Sequence, residues 1–231
     1  MDFINRMIQN FDAYCRRENG NDFTDQRESS CETIYDLCVK EDPDGVIEVG
    51  TNFGSSTLSL MYALKGLKKP LSALTTIDRD HQNWHRSGSI IQKDLLNEYE
   101  INPAEINLVR GDFRYIDPLS LIDPDKKYVI FYDIHDEINI DSSSKFLAEW
   151  EPLLKNAVIM YHDFNRIESP GSDHPSNMSV GTSFDGRHYL GYTECEKIIS
   201  WVNERKVEIG DTLPSGIYYK KKDGKFISLQ D

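Results

Sequence analysis

Residues 46–57 read "VIEVGTNFGSST": a short apolar run broken by Glu48, then Gly50 and Gly54, then small hydroxyl residues. An apolar run of that length ending at glycine predicts a buried strand, and the residues from Ser55 onward predict the start of a helix. The two glycines between them have two readings. They form a tight turn and nothing more, or they keep a loop bare so that a ligand lies against its backbone.

Outward from this stretch the chain alternates. The strand "GVIEVG" leads to the helix "SSTLSLMYALKG", and "LSALTTID" leads to a long helix, "HQNWHRSGSIIQKDLLNEYE". "INLVRGD" is followed by the short helical piece "RYIDPLSLI", "KKYVIFYDI" by the helix "SSSKFLAEWEPLL", and "NAVIMYHDF" closes the series. Nearly all-apolar strands separated by helices predict a parallel sheet covered on both faces. Residues 165–191 break the rhythm with a polar, Gly- and Ser-rich stretch that reads as a functional loop. Beyond it come the helix "TECEKIISWVNER" and the strands "VEIGDTL" and "GIYYKKK", whose tight link "LPSG" predicts an antiparallel pair. Two amphipathic helices precede the alternation, so the expected division is an N-terminal helical extension, 1–43, and one domain, 44–231.

Composition narrows the function. The 231 residues are 39% hydrophobic and 28% charged, enough to bury a real core, and the formal charge is −13. That balance argues against nucleic acid as partner, and the short basic runs "KGLKKP" and "YYKKKDGK" read as solvated edges. Cys15, Cys31, Cys38 and Cys195 show no paired spacing, and "MDFINRMIQNF" is neither leader nor membrane span; a cytoplasmic location with reduced thiols is expected.

In open α/β sheets ligands sit beyond the carboxyl ends of the strands. Here the predicted strand ends carry Glu48, Asp78, Asp112 and Asp133, and a fifth ends in His162 and Asp163. Any single acid serves to cap a helix, but like charges gathered on one rim are costly unless something binds there. A dinucleotide requires GxGxxG, yet Asn52 occupies the middle position; a P-loop requires a lysine that Gly54 lacks. S-adenosylmethionine (SAM) suits the loop better. Gly50 and Gly54 would admit its methionyl part, Asp78 would accept both ribose hydroxyls, and Asp112 would accept from the adenine amino group with Phe113 beside the ring. Ser55 and Ser56, at a helix N-terminus, would donate to the ligand carboxylate.

"VIEVGTNFGSSTLSLM", "LTTIDRD", "INLVRGDF", "YVIFYDIHD" and "NAVIMYHDF" occur in that order and resemble the class I SAM-dependent methyltransferases. The likeness spans roughly residues 44–222 and is nearest to small-molecule O-methyltransferases of the catechol and macrocin types, with cephalosporin-hydroxylase-like proteins sharing the motif style. It implies a Rossmann-like, seven-stranded, mostly parallel sheet in order 3-2-1-4-5-7-6, the last strand antiparallel. The implied cofactor set is Glu48, Gly50, Thr51, Gly54, Ser55, Ser56, Asp78, Arg79, Asp112, Phe113 and Asp133. In metal-dependent members an acid after strand four and two polar ligands after strand five hold a divalent cation; the matching residues are Asp133, His162 and Asp163. His162 stands where Asp is common, so either it shifts preference from Mg²⁺ toward Mn²⁺, Fe²⁺ or Zn²⁺, or it is no ligand.

His135 is the other candidate for the chemistry, as a general base near Asp133 or as a turn residue. Where catechol-type members keep a lysine, this chain has Asp136. His81 and His85 receive no role, His174 and His188 lie in the long loop, and Trp150 and Trp201 read as core. The expected activity is O-methyl transfer to a small hydroxylated molecule, a natural-product sugar or phenol. Two rivals stand beside it: a cephalosporin-hydroxylase-like enzyme with a redox metal, and a non-catalytic SAM-binding module. A homodimer through the N-terminal helices is a further expectation.

Overall fold

The computed structural model describes residues 2–19, 25–82, 84–135, 141–171, 175–212 and 216–230. The chain divides into two compact units, residues 1–112 and 113–231.

In the first unit, α1 (Asp2–Asn19) and α2 (Asp25–Glu41) precede β1 (Gly45–Val49), α3 (Ser55–Gly66), β2 (Leu74–Asp78) and β3 (Asn107–Arg110). β1 pairs in parallel with β2, Val46 opposite Leu74, and β2 in parallel with β3, Thr76 opposite Leu108. Every residue of β1 is buried, as its apolar run requires. Described residues of the predicted N-terminal extension pack into this unit's core. Phe3, Ile4, Met7, Ile8 and Phe11 recur along one face of α1 and are all buried. The Phe3 ring stacks on Tyr62 of α3 at 4.5 Å, and Gln92 donates its amide to the Met7 carbonyl at 2.8 Å.

The long helix expected over residues 81–100 is broken. A π-helical turn, Trp84–Gly88, runs into α4 (Ser89–Ile91) and then α5 (Lys93–Glu98). The cause is the Trp84 indole, which is 1% exposed. A Cβ on Gly88 would lie 2.3 Å from it, and a Cβ on Gly54 equally close. The widened turn and the two bare glycines make room for one large ring.

The second unit holds β4 (Lys127–Tyr132), α6 (Ser142–Lys145), β5 (Asn156–His162), β6 (Asn165–Ile167), β7 (Met178–Thr182) and β8 (His188–Tyr192). It continues with α7 (Cys195–Glu204), β9 (Gly210–Thr212), β10 (Gly216–Lys222) and β11 (Lys225–Ile227). β4 and β5 are parallel, β10 runs antiparallel to β5, and both β9 and β11 pair antiparallel with β10. The expected order is thus met within each unit: 3-2-1 in the first, 4-5-7-6 in the second with β10 as seventh and β9 as sixth. β11 is an added hairpin partner. This is the Rossmann-like α/β fold with antiparallel closing strands.

Residues 165–191 are no simple loop. β6 and β7 flank β8 in a separate antiparallel sheet. Polar composition masks the strands, because only alternate residues turn inward; Tyr189 and Gly191 of β8 are buried while His188, Leu190 and Tyr192 are partly exposed. Trp150 and Trp201 are core residues, as expected, and Cys31, Cys38 and Cys195 are buried and in no disulfide among the described residues. No helix among the described residues is long and apolar enough to cross a membrane.

Candidate active site

The first unit builds a glycine loop on a buried carboxyl. Glu48 is 0% exposed, an expensive place for an acid unless every oxygen finds a donor. Ser56 Oγ donates to Glu48 Oε1 at 2.5 Å, and Thr57 Oγ1 and Thr76 Oγ1 both donate to Oε2 at 2.6 Å. With Thr76's proton committed to Glu48, the 2.6 Å contact between Thr51 and Thr76 has Thr51 donating. The acid therefore ties together β1, the loop, the first turn of α3 and β2. Ser56, expected to donate to a ligand carboxylate, spends its proton on Glu48. Ser55, one residue earlier, is only partly covered.

Gly50 and Gly54 adopt φ of 105° and 87°, which side-chain-bearing residues rarely reach. Between them Asn52 donates its backbone N–H to Asp78 Oδ2 at 2.9 Å, and Asp80 donates to Oδ1 at 3.2 Å. Asp78 stays half-exposed at the end of β2, with its carboxylate oriented by backbone donors. Arg79 Nε lies 3.8 Å from Asp112 Oδ2. His81 is 6% exposed, and burial lowers its pKa despite the nearby charge of Asp78. His85 is exposed.

The second unit gathers the other candidates at the ends of β4 and β5. Asp133 and His135 follow β4; His162 ends β5, and Asp163 turns away with φ of 59°. His162 Nδ1 lies 3.3 Å from Asp133 Oδ1 and 3.1 Å from Asp163 Oδ1, yet it is buried and aligned for a hydrogen bond with neither. His135 Nε2 faces Asp163 Oδ2 at 3.2 Å and Asp133 Oδ1 at 3.6 Å. All four residues proposed from the two motifs therefore meet. Donor atoms of Asp133, His135 and Asp163 lie within 4.8 Å of one another, a grouping able to hold a metal ion.

Two residues join this cluster that no motif flagged. Glu194, only 3% exposed, meets His135 Nδ1 at 3.2 Å, and the Tyr192 ring stacks on the imidazole with centroids 3.8 Å apart. Both sit where β8 passes into α7, and nothing in "GYTEC" marks them.

The charges explain one another. Burial works against protonating either imidazole, but the close carboxylates win. Asp163 and Glu194, with the charge of Asp133, raise His135 to about 9; Asp133 and Asp163 raise His162 to about 10. Burial opposes ionisation of Asp163, yet the two imidazoles hold its carboxyl well below the usual range.

Phe113, read as an adenine neighbour, is 2% exposed and its ring packs 4.7 Å from Trp150 within the second unit's aromatic core. His188 shares a 2.9 Å contact with Thr182 across β7 and β8. Asp136 and His174 lie outside the described residues.

Comparison with known proteins agrees with this layout. Residues 47–164, just over half of the chain, match the model of a family described as a methyltransferase domain. Among solved structures, the apo form of CalS11, a TDP-rhamnose 3'-O-methyltransferase of calicheamicin biosynthesis, aligns with 95% of this chain and 93% of its own. Its TM-score is 0.54 at 13% identity, a likeness of fold. A methyltransferase from Geobacter sulfurreducens covers 83% of this chain and 89% of its own at 18% identity and TM-score 0.46. TomG from Streptomyces achromogenes, an O-methyltransferase solved with SAM, covers 83% and 89% at 14% identity and TM-score 0.44. A search of curated proteins finds no match. The strand-end motifs, the glycine loop on its buried carboxyl and the family match lead to one conclusion: the chain belongs to the methyltransferase-domain family and is a SAM-dependent methyltransferase of the class I type.

Proposed function

We propose that this enzyme moves the methyl group of SAM to a hydroxyl of a small molecule, a natural-product sugar or phenol, with a divalent cation assisting. The observation that carries the reading is the cluster of Asp133, His135, His162 and Asp163 at the ends of β4 and β5. In the reaction the S–CH₃ bond breaks as an O–CH₃ bond forms, and the hydroxyl proton must leave the oxygen. The products are the methyl ether, S-adenosylhomocysteine and a proton.

The residues suit that demand. Gly50, Thr51, Gly54, Ser55, Asp78, Arg79 and Asp112 are the proposed cofactor contacts, with Glu48 and Ser56 holding the loop in shape. Asp133, His162 and Asp163 are the proposed cation ligands; the two carboxylates belong, with His135, to the grouping able to hold a metal ion, and His162 Nδ1 lies 3.1–3.3 Å from both of them. A bound cation supplies Lewis acidity that lowers the acceptor's pKa and fixes its oxygen. His135 has both ring nitrogens turned to carboxylates, which leaves it poorly placed to take a substrate proton unaided.

A sugar-type hydroxyl follows the likeness of fold to CalS11. We further propose that residues 44–231 form the catalytic domain, that residues 1–43 are its extension, that the enzyme is cytoplasmic, and that nucleic acid is not its acceptor. A homodimer through the N-terminal helices would have to use faces other than the buried Phe3, Ile4 and Met7. The test is incubation with methyl-labelled SAM and pools of glycoside and phenol acceptors, with and without EDTA. Label in an acceptor and stoichiometric S-adenosylhomocysteine are expected. Failure to bind SAM by calorimetry would end the reading, and oxygen consumption without S-adenosylhomocysteine would replace it with redox chemistry.

A further inference from the structure

We infer that one face of the small sheet β6–β8–β7 is the wall on which the methyl acceptor lies, and that it selects a flat, uncharged, apolar acceptor, a fused-ring phenol, over a sugar or a nucleotide-linked one. The inference rests on the methyl-transfer reading above and narrows its substrate class.

Residues directly opposite each other in an antiparallel pair share a face. The register sets Met178 opposite Tyr192, Val180 opposite Leu190, and Ile167 opposite His188, so these side chains stand on one side of the sheet. Gly181 and Gly191 belong to the other side, where α7 covers them. A Cβ on Gly181 would meet Ile199 at 2.6 Å, and one on Gly191 would meet Cys195 at 2.9 Å. The first side differs: Met178, Val180, Leu190, Ile167 and Tyr192 all remain partly exposed. Apolar side chains left side by side in contact with water mark a binding surface.

The occupant follows from where this face leads. Tyr192 belongs to it, and the tyrosine ring stacks on His135 with centroids 3.8 Å apart and planes 24° from parallel. His135 Nε2 in turn faces Asp163 Oδ2 at 3.2 Å. The face is therefore continuous with the cluster at which the acceptor hydroxyl reacts. Along β8 the next side chain on this face, Leu190, lies about 7 Å from Tyr192 and His188 about 13 Å, while three strands span about 10 Å. Those dimensions fit a fused-ring body whose hydroxyl end reaches His135. None of the strand residues on the face is Lys, Arg, Asp or Glu, so it offers no partner to a phosphate. A sugar's hydroxyls would meet mostly hydrocarbon there, losing water without recovering its hydrogen bonds.

Full-length protein with SAM and Mg²⁺ or Mn²⁺ is offered dihydroxynaphthalene, catechol, methyl glucoside and TDP-rhamnose in separate runs. The kcat/KM for dihydroxynaphthalene should exceed that for catechol at least about tenfold, the gain from covering one more apolar ring. Methyl glucoside and TDP-rhamnose should be poorer than both. Leu190→Asn should raise the KM for dihydroxynaphthalene about tenfold with kcat within about twofold. Arg166→Ala, opposite Tyr189 and so on the other side of the sheet, should change neither. If Leu190→Asn fails to fold, Val180→Thr, nearly the same size, should raise KM at least about threefold. If no probe is methylated, dihydroxynaphthalene affinity read from its own fluorescence replaces KM. Equal or better use of methyl glucoside or TDP-rhamnose, no binding of dihydroxynaphthalene, or unchanged KM and affinity in the folded variants overturns the inference. S-adenosylhomocysteine formed with any acceptor then leaves the proposed function standing. Binding that the variants weaken, without any S-adenosylhomocysteine, would remove the function and keep the face.

Discussion

His135 and Glu194, 59 residues apart in the chain, meet at 3.2 Å, joining the loop after β4 to the start of α7. Glu194 is almost wholly buried, and a buried carboxylate is retained at such cost only when its partner compensates it. The same imidazole also faces Asp133 and Asp163. A single ring thus links three acids contributed by three separate stretches of the second unit.

Stability of the metal-free protein should depend on pH through this cluster. His135 and His162 have folded pKa values of about 9 and 10, above the unfolded value near 6.5, so the native state binds more protons between those limits. Their contribution is complete below about pH 6.5 and is lost as pH rises toward 9–10. Asp163 is shifted downward, so its contribution is present above the unfolded carboxyl value near 4 and fades in more acidic solution. Urea midpoints measured from pH 3 to 10 should peak between about pH 4 and 6.5. In His162→Gln the alkaline decline should shrink; a decline identical to wild type would refute the assignment.

Glu48→Gln should destabilise the protein by about 2–3 kcal/mol, because an amide nitrogen would face hydroxyl donors that now have a buried acceptor. Thr57→Val, which removes one donor and keeps the shape, should cost about 1 kcal/mol. Chemical denaturation of both variants measures this. An effect below about 0.5 kcal/mol for Glu48→Gln would mean the carboxyl is not the knot of the loop.

Gly54→Ala should cost about 2–4 kcal/mol, since its φ of 87° is strained for alanine and the new Cβ would meet Trp84 at 2.3 Å. Trp84→Ala should cost about 3–5 kcal/mol by leaving a cavity. The double variant should fall short of the sum by more than 1 kcal/mol, because removing the indole removes the clash. Simple additivity would show that the glycine serves its backbone angle alone.

Asp133→Asn should lower the rate of methyl transfer about 10²–10⁴-fold, as expected for a group at the reacting oxygen. Single-turnover kinetics with saturating SAM give the measurement, and SAM affinity is determined separately by calorimetry. A loss smaller than about tenfold would place Asp133 away from the chemistry.

The strand pattern was legible because buried parallel strands demand long apolar runs, and those runs stand out even beside Glu48. Their order within each unit followed from the family likeness. The break in the helix expected over residues 81–100 is not legible because periodicity reports a helical face and not the width of its turns; Trp84 takes up the room left by Gly88 and by Gly54, thirty residues earlier. The sheet within residues 165–191 was hidden for a related reason: its strands are short and only half buried, so their apolar signal is diluted by polar neighbours.

The sequence by itself determined the fold class and the glycine loop, and singled out Asp133, His135, His162 and Asp163 as candidates, since each motif is built from neighbours near in the chain. Tertiary structure alone decided that Ser56 serves Glu48, that Phe113 belongs to an aromatic core, and that Glu194 and Tyr192 hold His135. Those are contacts between residues distant in sequence, and local propensity carries no record of which buried donor will meet which acceptor.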